Sequence, residues 1–153
     1  MREILFRGKR VDTGEWVYGN LNYGTIEIES IKDNYCISDF DVNPWDKKFY
    51  PVIPETVGQY TGLNDQNGNK IFEGDIVHYY CSDVTALVKF GLYVDIDVNK
   101  EAYGFYSEYK ESEIGGSSEK LVQEVIDHRE SDEEYGCEVI GNIHDNPELL
   151  EVK

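Results

Sequence analysis

The sequence predicts a mainly β protein, built as a small barrel or sandwich, and three observations carry that expectation. Strand-favouring residues dominate: 12 tyrosines, 6 phenylalanines and 2 tryptophans stand against 4 prolines and 1 methionine. Apolar residues recur with period two, Ile26 and Ile28 opposing Glu27 and Glu29, and Val94, Ile96 and Val98 opposing Asp95 and Asp97. Turn formers punctuate short segments throughout, a spacing that suits antiparallel strands rather than a parallel sheet. The 153 residues fit one ordinary domain, or a small domain with an appendage, and suffice for a hydrophobic core.

In chain order, Ile4-Leu5-Phe6 opens the first expected strand, Val11 to Glu15 turns, and Trp16 to Leu21 forms the second. Thr25 to Glu29 is a third strand with one wet face, Tyr35-Cys36-Ile37 a short fourth, and Ser38 to Lys48 a loop. Phe49 to Ile53 is held extended by Pro51 and Pro54. Pro54-Glu55-Thr56 is the expected joint, dividing an N-terminal β region, 1–56, from a second domain, 57–153.

The stretch from Gly58 to Cys81 is the most constrained by backbone geometry. Asn67-Gly68 is a strong tight-turn signal, because both residues accept positive φ. Gly74-Asp75 marks a second turn, in which Asp75 is expected to bond local backbone amides, and residues 76–81 form the strand that follows. The gathering of Asn, Asp and Gly resembles a calcium loop. Placing Gly68 at the loop's invariant glycine, however, puts Leu63 and Gly74 where carboxylates are required.

Farther on, Val84 to Phe90 is an expected strand ended by Gly91, with Val84, Ala86, Val88 and Phe90 on one face. Tyr93 to Val98 alternates again, with Val94, Ile96 and Val98 expected to face inward, and Tyr103 to Tyr109 forms an aromatic-rich strand. An acidic insertion spans about 111–135. Within it Leu121, Val122, Val125 and Ile126 change the period to 3.6 and predict a short helix over 119–129. Cys137 to Ile143 returns to strand, and Asn146-Pro147 begins a final helical turn, so at most one or two short helices are expected.

Charge and composition narrow the function classes. The formal charge of −17, from 31 acidic against 14 basic residues, opposes non-specific attraction to a phosphate backbone. The one basic cluster is Arg2, Arg7, Lys9 and Arg10. Three widely separated cysteines, Cys36, Cys81 and Cys137, suit a reducing compartment. With neither a signal-like apolar run at the start nor a span of about 18 apolar residues, a cytoplasmic protein without membrane attachment is expected.

No motif points to catalysis, a cofactor or a metal. His78 and Cys81 are three apart, so on a strand they point to opposite faces, and His128, Cys137 and His144 lie far downstream. Cys36 reads as a small buried hydrophobe rather than a nucleophile. The carboxylates Asp95, Asp97, Glu101 and Glu108 read as a solvated face in so acidic a chain, and Gly115-Gly116-Ser117-Ser118 lacks the lysine of a phosphate loop. A hydrolase at Asp95 and Asp97 is therefore the least supported reading.

The surplus of tyrosine is more suggestive. Tyr79, Tyr93, Tyr103, Tyr106 and Tyr109 are candidate interface residues if they project outward, against the alternative of core and cross-strand packing. Two function classes follow. One is a non-enzymatic module that binds a host or phage protein. The other is nucleic-acid related, as a binder through the basic cluster with aromatic stacking or as an acidic mimic that occupies a host nucleic-acid enzyme.

Four segments resemble the YopX family of bacteriophage and prophage proteins. They are Ile4 to Arg10 with Thr13 to Gly19, Val52 to Leu63, Gly68 to Val77, and Val139 to Leu150. The resemblance implies a mostly β protein whose C-terminal part is an SH3-type barrel preceded by a smaller β region, self-associating, and encoded by phages of Gram-positive hosts. It implies no activity and brings no catalytic residues. Residues 22–48 and 99–135 lie outside the matching segments, and the insertion at 111–135 is where this chain is expected to differ.

Overall fold

The computed structural model describes residues 3–24, 35–39, 46–80, 82–109, 117–121 and 136–151. The chain is mainly β, with two short 3₁₀ turns at Pro54–Thr56 and Pro147–Leu150. It divides into two units, Met1–Tyr60 and Thr61–Lys153. The division falls inside a strand rather than at the expected joint before residue 57.

In the first unit, β1 (Phe6–Lys9), β2 (Trp16–Tyr23), β3 (Tyr35–Ser38) and β4 (Phe49–Pro51) run in the order β4-β3-β2-β1. β5 (Gly58–Asn64) lies on the far side of β1, and all these pairings are antiparallel. An antiparallel bridge, Arg10 to Val52, also joins the chain beyond β4 to the end of β1. Leu5, Cys36, Ile37, Val52 and Tyr60 are buried here. The first strand begins two residues later than the Ile4 start expected, and Ile4 is exposed. The third strand expected at residues 25–29 lies outside the described residues.

The second half of β5 leads into the second unit and pairs with β6 (Lys70–Phe72). The turn between them holds Asn67 and Gly68, with Gly68 at φ +83, where a side chain would be strained. Gly74 turns at φ +86, and the Phe72 amide donates to the buried Asp75 carboxylate at 2.7 Å. From there β7 (Asp75–Tyr79), β8 (Val84–Asp95), β9 (Lys100–Tyr109) and β10 (Ser117–Lys120) form an antiparallel meander, and β11 (Cys137–Asn142) lies on the other side of β7.

Ile71, Val77, Tyr79, Ala86, Val88, Leu121 and Cys137 form the core of this unit. Two sequence expectations are corrected here. Residues 119 and 120 belong to β10 rather than to a helix, because their backbone pairs with Ser107 and Tyr106; the remainder of the expected helix from 122 lies outside the described residues. Gly91 does not end a strand but sits within β8 at φ +149, which glycine tolerates, so β8 runs on to Asp95. No pairing among the described residues closes either sheet into the SH3-type barrel that the resemblance implied.

Candidate functional site: the β8–β9 arm

β8 and β9 are far longer than their neighbours. β7 pairs with β8 only over Val84–Leu87, and β10 pairs with β9 only over Tyr106–Tyr109. Beyond these, the hairpin continues as a two-stranded ribbon through six paired positions, from Phe90 opposite Phe105 to Asp95 opposite Lys100. Its turn is fixed locally. The Asp95 carboxylate accepts from the Asp97 amide at 3.0 Å, the Asn99 amide donates to the Asp95 carbonyl at 2.8 Å, and Asn99 takes the left-handed conformation at φ +50.

The ribbon's end returns to β10. Asp95 forms a parallel bridge with Ser118, and the Ile96 amide donates to the Ser118 carbonyl at 3.0 Å. This gives the ribbon two unlike faces. On one, Tyr93 and Tyr106 are buried and stack with ring centroids 4.7 Å apart and planes 16° from parallel. Burial, reinforced by Asp95, pushes the Tyr93 hydroxyl above its ordinary pKa.

On the other face, Ala86 and Val88 sit in the core, but Phe90, Leu92 and Val94 continue the same row beyond it. Across from them in register stand Phe105, Tyr103 and Glu101. Phe90 meets Tyr103 edge-on at 5.3 Å and Phe105 at 4.8 Å. Phe90, Leu92, Val94 and Tyr103, with Ile96 and Val98 at the turn, are 44 to 72 per cent exposed. Isolated exposed apolar residues are ordinary on a protein surface, but Phe90, Leu92, Val94 and Tyr103 share one face of the ribbon by register.

The inward placement expected for Val94, Ile96 and Val98 is therefore reversed, and the buried residue of that segment is Tyr93. Alternation identifies which residues share a face, but the returning end of the ribbon decides which face is covered. Of the five candidate tyrosines only Tyr103 faces solvent. Tyr79 is buried, with its hydroxyl 2.6 Å from Ser107 Oγ; Tyr93 and Tyr106 form the buried stack; Tyr109 packs against the core. Phe90 and Leu92 were missed as surface residues because an apolar strand residue is by default assigned to a core.

The remaining candidates are dispersed. His78 Nδ1 lies 3.3 Å from Thr85 Oγ1 and its Nε2 3.5 Å from Asp83, while Cys137 is in the core and His144 is exposed beyond β11. Cys81 and His128 lie outside the described residues. Among the described residues no group of three or more His, Cys, Asp or Glu is placed to hold a metal ion. Burial raises the Cys36 thiol, which disfavours a thiolate nucleophile. Glu108 pairs with Lys89 at 3.0 Å and is thereby engaged apart from Asp95 and Asp97.

The basic cluster is drawn into local packing. Arg7 is buried with its guanidinium 4.7 Å from the Trp16 ring centroid, and Lys9 Nζ is 5.5 Å from the same ring. Arg10 lies 4.7 Å from the Tyr50 ring centroid and pairs with Asp12 at 2.6 Å. Arg2 lies outside the described residues. Among those described, no helix is long and apolar enough to cross a membrane.

The family model for the YopX protein matches residues 5–151. The chain belongs to the YopX family. The crystal structure of protein EF1440 from Enterococcus faecalis aligns with it at 23% identity with a TM-score of 0.45, covering 99% of this chain and 100% of that one. No curated protein matches. The family model thus spans both units, including the β8–β9 arm and the segments at 22–48 and 99–135 that the sequence motifs left unmatched.

Proposed function

We propose that this YopX-family chain is a non-enzymatic protein-interaction module of a phage or prophage, acting in the cytoplasm of its bacterial host. Its working surface is the outer face of the β8–β9 arm. The observation that carries this reading is the row Phe90, Leu92, Val94 and Tyr103, which leaves the core and presents a continuous apolar strip to solvent. Folding alone gains nothing from exposing that strip, whereas a protein contact would bury it. The SH3-type barrel belongs to the same reading for the second unit, supported by its five-stranded antiparallel sheet and by the Ser118 to Asp95 bridge that draws the arm back toward β10.

The test uses the full chain with Leu92→Glu and Tyr103→Glu together. These side chains are exposed in the free chain, so its thermal midpoint is expected to stay within about 3 °C of wild type. The set of proteins that it retains from a bacterial lysate, further copies of itself included, is expected to shrink relative to wild type. An unfolded double variant would assign these residues to the fold instead. A folded variant with undiminished binding would remove the arm from the function.

A further inference from the structure

We infer that the open edge of β8, from Phe90 to Val94, takes an extended segment of a partner protein as an added β-strand, one that alternates apolar with basic residues. This rests on the reading of the arm as an interaction surface and specifies how that surface is engaged. Backbone groups alternate between the two sides of an antiparallel strand. On β8 the Val88 carbonyl accepts from the Gly74 amide at 2.9 Å and the Ile96 amide donates to the Ser118 carbonyl at 3.0 Å, so both point away from β9. The β8–β9 register is unbroken from Ala86 to Asp95, and the amides and carbonyls of Phe90, Leu92 and Val94 therefore point to that same side.

Among the described residues no strand pairs with β8 there: β7 stops at Leu87, and β10 meets β8 only at Asp95. The chain's own bonds thus close the edge at Val88 and at Ile96, and leave Phe90 to Val94, roughly 15 Å of strand, open between them. Sheet edges that avoid pairing are ordinarily blunted by lysine, proline or an inward charge, and Phe90-Gly91-Leu92-Tyr93-Val94 has none of these. An extended peptide satisfies such a row of donors and acceptors, whereas a helix, its backbone already bonded internally, does not.

The side chains of the incoming strand follow from its neighbours. Those beside the exposed Phe90, Leu92 and Val94 are apolar. Toward the ribbon's turn Asp97 and Glu101 are exposed and Asp95 half-buried, with Lys100 alone to offset them, on a chain of charge −17. That balance favours lysine or arginine at the alternate positions and opposes a second copy of this chain.

The probe is a capped peptide alternating lysine and valine, added to the full chain labelled for NMR. It is expected to slow hydrogen exchange of the Phe90, Leu92 and Val94 amides about tenfold or more, while Gly91 and Tyr93, whose amides face β9, change little. The same peptide N-methylated at alternate residues keeps its charge and side chains but loses its donors, and is expected to bind more than about tenfold more weakly. A peptide alternating glutamate and valine is expected to weaken by at least as much.

Equal affinity of the two lysine–valine peptides, or no slowing at the three amides with about 1 mM peptide, would overturn the added strand. So would slowing that appears on concentrating the chain alone, which assigns the edge to a second copy. Should the strand fall while Leu92→Glu with Tyr103→Glu still loses bound lysate proteins, the arm stands as an interaction surface engaged in another way. Should that double variant lose nothing, both readings fall.

Discussion

Replacing Gly19 by alanine is expected to lower stability by about 3 kcal/mol or more and to bring forward the thermal unfolding of the full chain by more than about 10 °C. Gly19 is a buried residue of β2, and a Cβ built on it would stand 2.0 Å from the Ser38 carbonyl oxygen and 2.9 Å from its carbon. Those atoms belong to β3, whose pairing with β2 aligns Asn20 with Ser38, so no flexible side chain can move aside to make room. The comparison is Gly104→Ala in β9, where a Cβ meets nothing within 4 Å and little change is expected. Circular dichroism melts giving the two variants equal midpoints would refute the close approach of β2 and β3.

Asp65→Ala is expected to cost about 3 kcal/mol, since several backbone donors would lose a buried acceptor at once. Asp65 Oδ1 accepts from the amides of Asn67 at 2.9 Å and Asn69 at 2.8 Å, and Oδ2 from the Asn69 side chain and the Val139 amide, both at 3.1 Å. One carboxylate thus shapes the turn between β5 and β6 and ties it to β11. Burial pushes its pKa up, but the bonds from the Asn69 side chain and the Val139, Asn69 and Asn67 amides outweigh this and hold it below the usual carboxylate range.

A carboxylate with a depressed folded-state pKa contributes stability above its unfolded pKa of about 3.9 and loses that contribution as pH falls through the folded value. Urea midpoints of wild type are therefore expected to fall below about pH 4 more steeply than those of Asp65→Asn, which carries no titrating group at this position. Parallel pH profiles for the two chains would contradict the role assigned to this carboxylate.

Much of the scaffold was legible because its signals are local. Gly68 and Gly74 take the positive φ that their residue type announces, though Asn67 does not, and Trp16 to Leu21 and Tyr35 to Ile37 fall within β2 and β3. The arm was legible as strands but not as a surface. Val94 and Asp95 alternate as a half-buried strand should, yet the face carrying Val94 is the open one, because Asp95 and Ile96 meet Ser118 from a distant part of the sequence. Period two fixes the partition of side chains between faces and says nothing about which face the rest of the chain will cover.

Gly91 misled for a related reason. Glycine commonly punctuates strands, but here it occupies a φ that other residues avoid and lets one long strand pass from the core into the arm. Asp65 was passed over although its bonds to Asn67 and Asn69 are local turn bonds; only its tie to Val139, seventy-four residues away, lies beyond what a turn pattern discloses.

The central claim, that one face of the arm is an open apolar surface while the other is packed, is tested most directly by carbene footprinting of the dilute full chain. Phe90, Leu92 and Tyr103 are expected to label strongly while Tyr93 and Tyr106 do not. Equal labelling of Tyr103 and Tyr93 would contradict it.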